Sequence, residues 1–421
     1  MNNISASPMK EPFWKARYSV LLFIWLAWVL SYIDRQVMNF SIGLIGEEFS
    51  LDPTYQGWVM SAFFAGYALF QIPGGFFADK WGPRLSMAVA IIWWSVFTML
   101  TGVASSFFAL IIIRFLFGIG EGAFPAGSWK SISTHFPSSE RGRATAIQGS
   151  VGSLGSAISA IVGAGLIYRY GWHNVFFYLG IPGFFIALGI YYFCRNKPAE
   201  SPFITAAELK TLEADVSASQ STARGMSALD ILKSPIVWQL MIIWCLFNAA
   251  FWGFSSWLPQ YMLKEHNLNM KDAGLWTSIP FFVGALGTFI GGYFSDKFKN
   301  NRTKTYAISS VVGGLLLAAA LQVTDLKTII FFQSLSSFFM FFCVGLFWGV
   351  VMDVIDSNSM GMASGVINIG SQLAAMGTLP IMGRLIVLAD GKFSYAFMAV
   401  IATLILSGFV MMTVRLNKAS S

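Results

Sequence analysis

Two oppositely charged residues stand seven positions apart in the middle of a long apolar segment. Arg114 and Glu121 belong to the stretch RFLFGIGE, which continues as GAFPAGSW to Trp129. Because seven residues make close to two helical turns, both side chains leave the same face of a helix. A charge at the centre of a bilayer costs about 2.5–3.5 kcal/mol on the insertion scale, so such side chains face protein or water and mark pathways for ions or substrates. The pair therefore predicts a functional polar site inside the apolar part of the chain.

A second pair of charges lies in the first apolar segment, where Asp34 and Arg35 are adjacent in LSYIDRQVMNF. Neighbouring residues on a helix point about 100° apart, so each of the two needs a partner elsewhere. Two arrangements are open: Asp34 with Arg114 and Arg35 with Glu121, or one mixed network of all four. The quartet is neutral when every group is ionised and carries two positive charges when both carboxylates are protonated. Protonation of Glu121, with or without Asp34, would free Arg35 to hold a carboxylate in its planar fork.

Composition indicates what surrounds this quartet. Of the 421 residues 56% are hydrophobic and only 11% are charged, which is typical of an integral membrane protein. The apolar stretches are about 20 residues long, as membrane-spanning helices require, whereas spanning strands show only about ten residues of alternation. We therefore expect twelve membrane-spanning helices, at about 18–44, 55–78, 84–104, 107–129, 143–168, 173–194, 236–263, 272–295, 305–323, 328–352, 362–388 and 392–415.

Positively charged residues are unevenly distributed between the two sides of this arrangement. If both termini lie on one side, 19 of the 27 Lys and Arg residues fall on that side, five on the other and three within spans. The positive-inside rule therefore predicts that both termini are cytoplasmic. The loop at 353–359 departs from the pattern, because it has two acids and no base on the side predicted to be cytoplasmic.

A long polar connection between the sixth and seventh spans divides the chain into two halves. It is rich in Lys, Glu, Ala and Ser, and it is predicted to be a linker with a short amphipathic helix around 206–216. The predicted segments are a cytoplasmic N-terminus at 1–17, a six-helix bundle at 18–194, the cytoplasmic linker at 195–235, a second six-helix bundle at 236–415 and a cytoplasmic C-terminus at 416–421.

A loop pattern occurs twice, about half a chain length apart. GGFFADKWGPR at 74–84 follows the second predicted span, and GGYFSDKFKNNR at 291–302 follows the eighth. Glycine permits close helix approach, the aspartate sits at a helix end, and the bases hold the cytoplasmic side. The repeat therefore predicts two pseudo-symmetric bundles. Its signature residues are Gly75, Asp79, Lys80 and Arg84 in the first copy and Gly292, Asp296, Lys297 and Arg302 in the second.

This loop resembles the signature loop of the major facilitator superfamily, and other motifs resemble its anion:cation symporter family. The resemblance covers nearly the whole chain apart from the first dozen residues and the linker. That family includes bacterial galactonate, glucarate and hexuronate transporters and, more distantly, animal sialin and the vesicular glutamate transporters. The other motifs are YIDRQ at 32–36, YALFQIPGG at 67–75, RFLFGIGEGAFPA at 114–126, FPSSERGRATA at 136–146, WLPQYM at 257–262 and SGVINIG at 364–370.

The resemblance implies individual roles for the four charged residues. Asp34 and Glu121 match the family's protonation sites, Arg35 matches the arginine that contacts the substrate carboxylate, and Arg114 matches the arginine that interacts with the aspartate. A structural interpretation stands beside this one, in which Asp34 and Arg114 simply lock the first helix to the fourth. We expect them to do this as well as to take part in coupling. Some sugar-acid relatives carry a larger amide residue further along the fifth span. In this chain the only amide of that span is Gln148, near its cytoplasmic start.

Further candidates for substrate contact are aromatic and amide residues, which can bind the hydroxyl groups of a polyol acid. Tyr67 and Asn368 match ligand-facing positions of the family, and Trp348 does so less securely. The full set is Tyr32, Tyr67, Trp348, Asn368 and Gln372, the last of which lies one turn beyond Asn368 and can share its face. Asn248, Trp252 and Ser256 recur every four residues in the seventh span, a pattern that suits either a cavity or helix packing.

The motifs favour a transporter over other classes. Three cysteines without metal-ligand spacing, three histidines, and the lack of a phosphate or dinucleotide fingerprint predict no enzyme, metal or cofactor. The basic residues follow membrane topology, so no nucleic acid is expected. We expect a monomer in the bacterial inner membrane that takes up a small carboxylate, with a sugar acid as the favoured substrate, driven by protons. The alternatives are an anion exchanger or exporter with the same cluster, and a sensor or receptor that does not transport.

Overall fold

The computed structural model describes residues 14–218, 228–355 and 359–414, and within these ranges the chain is helical with no strand. Most of the predicted terminal segments and linker residues 219–227 fall outside them. Three short 3₁₀ turns, Ser150–Gly152, Pro198–Glu200 and Lys299–Asn301, interrupt the helices. The α-helices are α1 Ala16–Glu48, α2 Pro53–Lys80, α3 Gly82–Thr101, α4 Phe107–His135, α5 Ser138–Gly149, α6 Leu154–Phe193, α7 Ala206–Ala218, α8 Ala228–Lys233, α9 Pro235–Lys264, α10 Met270–Lys297, α11 Arg302–Ala320, α12 Leu326–Val354, α13 Met360–Leu388 and α14 Ser394–Met412.

Eleven helical stretches in the described residues are long and apolar enough to cross a membrane, and one of them contains two spans. Ser138–Phe193 has 56 residues, which at about 1.5 Å per residue is more than twice the roughly 30 Å of a bilayer core. Its helix is broken at Gly171, which has φ 73° and ψ 161°, a conformation that only glycine adopts readily. The two resulting spans, 138–170 and 172–193, bring the total to twelve, so the predicted number is confirmed.

The two six-helix halves pack in the same way. In the first half α2 packs on α4, α1 on α6 and α3 on α6, while in the second half α10 packs on α12, α9 on α13 and α11 on α14. The halves meet where α2 contacts α13 and where α6 contacts α10. Each contact in one half has its counterpart six spans later, so the pseudo-symmetry predicted from the loop repeat is confirmed.

Glycine brings α2 and α4 together closely enough for their backbones to touch. A Cβ atom on Gly122 would lie 2.5 Å from the carbonyl oxygen of Tyr67, and one on Gly74 would lie 2.5 Å from the Cα of Ala123. No larger residue fits at either position without moving a helix. This contact places Glu121 of α4 next to the Tyr67 turn of α2.

The close helix approach expected of the repeated Gly-Gly pair occurs at its first glycine in both repeats. A Cβ atom on Gly75 would make only an ordinary contact, 3.9 Å from the Cβ of Ala126, and one on Gly292 would meet nothing within 4 Å. In the second copy, a Cβ on Gly291 would lie 2.5 Å from the carbonyl oxygen of Phe342. The first glycine of each pair therefore makes the close approach, because a one-residue shift turns the Cβ direction by about 100° around the helix, and the role of Gly75 and Gly292 as signature-loop residues stays a prediction.

The charged residues of the first repeat tie neighbouring helices together. The Nζ of Lys130 donates to Asp79 at 2.7 Å. The Nε of Arg84 donates to the Tyr191 carbonyl at 2.7 Å, and its guanidinium lies 3.8 Å from the Tyr191 ring centroid. Lys80 is exposed.

In the second repeat the buried Arg302 has the central role. It donates to the carbonyls of Ser295 at 2.8 Å and Gly349 at 2.9 Å and to Asp353 at 2.5 Å. Its Nη2 atom lies 3.7 Å from Asp296 Oδ1, and Lys297 is exposed. The pair with Arg302 accounts for Asp353, one of the two acids in the loop that departs from the charge pattern; the other lies outside the described residues.

The linker helix α7 is docked on the first half by charged side chains. Arg17 binds Glu140 at 2.8 and 2.9 Å and Glu208 at 3.1 Å. Asp215 accepts from the backbone N–H of Ser138 and from Arg141, each at 3.1 Å, and from the Ser138 hydroxyl, whose hydrogen bond holds the pKa of Asp215 below its usual value. The amphipathic helix predicted around 206–216 is thus confirmed.

Hydrogen bonds between the two halves cluster at one end of the molecule. The hydroxyl of Ser61 donates to the Met376 carbonyl at 2.6 Å, and the amide of Gln260 donates to the Asn39 carbonyl at 2.8 Å. Lys264 also pairs with Glu47. We call the end that carries residues 81–82 and 298–301 the basic end. The contacts lie at the opposite end, so the halves are closed together there.

Candidate functional site

Arg35 and Glu121 form a buried ion pair between α1 and α4. The Nη2 and Nε atoms of Arg35 lie 2.6 and 3.1 Å from the same carboxylate oxygen, Oε2 of Glu121. Glu121 is 2% exposed, and its other oxygen, Oε1, has no hydrogen-bond partner in the described part of the chain. One of the pairings predicted from the sequence therefore forms, and it leaves one carboxylate oxygen free to carry a proton.

Aromatic rings from both halves surround the Arg35 guanidinium. Its Cζ atom lies 4.8 Å from the ring centroid of Phe63, 5.2 Å from Tyr32, 5.6 Å from Tyr67 and 5.7 Å from Trp252. A guanidinium is weakly hydrated and is attracted to aromatic faces, so the rings stabilise its charge away from bulk water. Tyr32 and Tyr67, both predicted from the sequence, lie beside Arg35, and Trp252 brings the second half into the same site.

Asp34 and Arg114 are both buried but do not bind each other. They are 1% and 2% exposed, and among the described residues no ion pair within 4 Å joins them. Asp34 Oδ2 lies 3.2 Å from the Thr98 hydroxyl, while its Oδ1 has no hydrogen-bond partner in the described ranges. The Nε and Nη1 atoms of Arg114 likewise have no acceptor, and its guanidinium lies 4.3 Å from the Phe117 ring centroid. The quartet is thus divided into one closed pair and two groups without an ionic partner.

Two cavities lie on either side of Trp252. The larger, about 230 Å³, lies on the side of Arg35 that faces the basic end of the molecule. Its wall is aromatic with a few hydroxyl and amide groups. The smaller, about 20 Å³, is bounded by Arg35, Arg114, Asn39 and Ser256 and has room for about one water molecule. Trp252 lines both cavities. Other residues that line the larger cavity are Tyr32, Ser153, Trp244, Asn248, Phe341 and Ser371.

The polar wall of the larger cavity is a hydrogen-bonded chain between α9 and α13. The hydroxyl of Ser371 donates to Asn248 Oδ1 at 2.7 Å and lies 3.3 Å from the indole nitrogen of Trp252. The stripe at Asn248, Trp252 and Ser256 therefore lines the two cavities and also joins α9 to α13, so both of its interpretations apply. Sequence reasoning missed Ser371, although its position three residues after Asn368 places it near the same helical face.

Three of the residues predicted to contact substrate do not line the cavities. Asn368 accepts from the indole nitrogen of Trp244 at 3.2 Å, and the Trp348 ring packs edge-on to Trp244 with centroids 5.5 Å apart. Gln372 is half-buried. None of the three lines either of the cavities described above. In this conformation Asn368 and Trp348 contact Trp244, which lines the larger cavity, and contact of all three with substrate stays a prediction.

Comparison with known proteins agrees with this architecture. Residues 24–378 match the family model described as Major Facilitator Superfamily. The hexuronate transporter of Bacillus subtilis is 29% identical over 94% of this chain and 96% of that protein. The probable sulfoacetate transporter of Cupriavidus necator is 31% identical over 91% of this chain and 90% of that protein. The probable galactarate/D-glucarate transporter of Bacillus subtilis is 29% identical over 91% of this chain and 88% of that protein.

Solved structures share the fold. A bacterial homologue of the human lysosomal transporter Spinster, in an inward-facing and unoccupied conformation, superposes with a TM-score of 0.77 at 20% identity and covers 96% of this chain and 99% of that one. The D-xylose–proton symporter gives a TM-score of 0.73 at 16% identity, with the same coverage. Similarity at these identities establishes the arrangement of helices.

Proposed function

The chain belongs to the Major Facilitator Superfamily, as a multi-pass membrane transporter and not an enzyme, and we propose that it is a proton-coupled symporter for a small organic anion. The favoured substrate is a sugar acid, taken up through the cytoplasmic membrane of a bacterium. Relatives named for hexuronate, sulfoacetate and galactarate/D-glucarate support an organic acid. The observation that carries the proposal is the fork of Arg35 on a single oxygen of Glu121.

Charge accounts for the coupling. While Glu121 is ionised it occupies the guanidinium that a substrate carboxylate would need. Protonation removes that charge, and the fork of Arg35 then becomes available to a substrate carboxylate with the same planar geometry. Asp34 is proposed as a second proton site and Arg114 as the charge that balances it. A proton gradient supplies the energy, so the mechanism needs no cofactor and a single chain is sufficient.

The position of the cavity suits release on the side that the loop charges assign to the cytoplasm. The halves are closed together at the opposite end, and the larger cavity lies between Arg35 and the basic end. Asn248 and Ser371 line this cavity, and by re-forming their hydrogen bonds they can bind substrate hydroxyl groups. The first half would then couple protons and hold the carboxylate, while the second half would bind the rest of the substrate.

Transport into proteoliposomes tests this proposal. Radiolabelled galactonate, glucarate and glucuronate are supplied with an inward proton gradient and again with the gradient collapsed. We expect saturable uptake of at least one acid that requires the gradient. Glu121→Gln should abolish this uptake but preserve exchange between equal substrate pools, because the amide mimics the protonated carboxyl.

Each other outcome has a distinct meaning. Uptake that needs substrate on both sides but no gradient would identify an exchanger. Loss of both uptake and exchange in a folded Glu121→Gln protein would contradict a pure coupling role for Glu121. Binding of an acid without any flux by the wild-type protein would favour a sensor over a transporter.

A further inference from the structure

The buried carboxyl group of Asp34 has a neutral neighbour from a third helix. Thr98 of α3 is 1% exposed, and its Oγ1 lies 3.2 Å from Asp34 Oδ2. The same Oγ1 lies 3.0 Å from the carbonyl oxygen of Trp94, one helical turn earlier. A hydroxyl has one proton to donate and lone pairs to accept, so Thr98 can donate to only one of these oxygens at a time.

The two protonation states of Asp34 use this hydroxyl in opposite ways. When Asp34 is protonated, its O–H donates to Thr98 Oγ1, and the Thr98 proton turns to the Trp94 carbonyl in the usual i−4 bond. When Asp34 is ionised, the Thr98 proton must turn to the carboxylate, while the Trp94 carbonyl keeps its helical partner. Rotation about one side-chain bond therefore gives both states a hydrogen bond.

No charged group substitutes for Thr98 in this structure. The charged residues nearest Asp34 are Arg35 on its own helix, which is turned to Glu121, and Arg114 and Glu121 on α4. Neither arginine has a nitrogen within 4 Å of the Asp34 carboxylate in the described part of the protein. Helices α2, α3 and α6 carry their charged residues only near their ends or at the Gly171 turn. Within the described ranges, Thr98 is the one hydrogen-bond donor found for Asp34.

We propose that Thr98 is a positioning residue for proton coupling: it accepts the hydrogen bond of protonated Asp34 and becomes the donor to the carboxylate when the proton leaves. This inference rests on the proposed proton symport and extends it to a residue outside the charged quartet. Without the hydroxyl, the ionised carboxylate would have no donor, so Asp34 would keep its proton and release it less readily.

The test compares Thr98→Val with Thr98→Ser and with a matched control. Thr101→Val removes a hydroxyl from the same helix that donates to the Phe97 carbonyl at 2.9 Å and contacts no carboxylate. Substrate exchange and gradient-driven uptake are measured in proteoliposomes as functions of pH. For Thr98→Val we expect slower uptake, with the pH midpoint of exchange moved upward by about one unit, the size expected for loss of one hydrogen bond to a charged group. Thr98→Ser and Thr101→Val should keep the wild-type midpoint.

A second measurement does not depend on transport. The infrared carboxylic C=O band that Asp34→Asn removes should titrate in Thr98→Val at a higher pH than in the wild-type protein. If the wild-type protein shows no gradient-driven uptake, the proposed function fails, and this titration still decides whether Thr98 acts on Asp34. If uptake is present but neither the midpoint nor the band moves, or if Thr101→Val moves them equally, the role of Thr98 is refuted and the proposed function stands.

Discussion

Replacing Arg114 with methionine removes a buried charge that has no acceptor in the described part of the chain. Its side chain is 2% exposed, and two of its three guanidinium nitrogens, Nε and Nη1, are buried without a hydrogen-bond partner. A residue that only locked α1 to α4 would be bound to Asp34, and it is not. We therefore expect Arg114→Met to stabilise the folded protein while impairing transport.

The size of the effect follows from these contacts. Each buried unsatisfied donor costs about 1–3 kcal/mol. The contact of the guanidinium with the Phe117 ring at 4.3 Å offsets up to about 2 kcal/mol of that cost. Replacement of buried charged groups by apolar residues of similar volume is often neutral or stabilising by about 1–4 kcal/mol. A gain of about 1–3 kcal/mol in the free energy of unfolding is the result we expect.

Arg302→Met is the matched control, because Arg302 is also buried but has hydrogen-bond acceptors for its Nε and Nη1 atoms. It donates to two backbone carbonyls and to Asp353, whose side chain is 31% exposed. Its removal takes the guanidinium away from these acceptors and breaks the pair with Asp353. Breaking a buried pair costs about 3–5 kcal/mol, and the partial exposure of Asp353 reduces this to about 2–4 kcal/mol. The same substitution should thus change stability in opposite directions at the two positions.

Thermal unfolding in detergent can be followed with a thiol-reactive fluorophore, because Cys194 and Cys343 are buried in the folded protein. Unfolding of membrane proteins in detergent is often irreversible, so half-lives at one fixed temperature are compared. Arg114→Met should lengthen the half-life and Arg302→Met should shorten it. If both variants unfold faster than the wild-type protein, Arg114 stabilises the folded protein, and the reasoning is refuted.

Two further predictions concern the substrate fork and the linker helix. Arg35→Lys should weaken substrate binding by about tenfold or more, because a point charge cannot reproduce two parallel hydrogen bonds to a carboxylate; an unchanged affinity in a binding assay would exclude Arg35 from the site. The hydrogen bond from Ser138 lowers the pKa of Asp215, so the ionised carboxylate stabilises the docked α7 at any pH above the pKa that Asp215 has in the unfolded chain. This stabilisation is lost as the pH falls through the lower pKa of the folded state. Docking of α7 should therefore be constant between about pH 5 and pH 8. Asp215→Asn should speed proteolytic cleavage within 206–218 at neutral pH. Equal cleavage rates in the variant and the wild-type protein would contradict the contact between Asp215 and Ser138.

Most of the fold could be predicted because its causes are local in sequence. A membrane-spanning helix needs about 20 apolar residues, and a loop takes its side from its own Lys and Arg content, so length and charge predict the spans and their orientation. The repeat predicts two related halves. Which glycine of each repeat makes the close approach could not be predicted, because helix contact depends on which side of α2 faces α4, and a loop motif does not carry that information.

The charged residues of the site could be predicted from the sequence, but which of them bind each other could not. Asp34, Arg35, Arg114 and Glu121 are conspicuous because charges are rare in apolar segments. Both Thr98 and Ser371 are hydroxyl residues of a kind that recurs throughout membrane helices, so nothing in their local sequence distinguishes them. Thr98 became a candidate only when α3 was seen to pack against the turn of α1 that carries Asp34.

Hydropathy, the loop repeat and the rarity of charge in apolar segments are enough to predict the number of spans, the two halves and the four charges that must be buried together, since the bilayer penalises each charge wherever it stands. Only the tertiary structure decided that Arg35 binds Glu121, that Asp34 and Arg114 have no ionic partner in the described residues, and that Trp252 of the second half closes the same site. The physical reason is distance: an ion pair or hydrogen bond requires approach to within about 3–4 Å. Which atoms meet at that range depends on the rotation and depth of each helix, and those follow from packing between residues far apart in the chain.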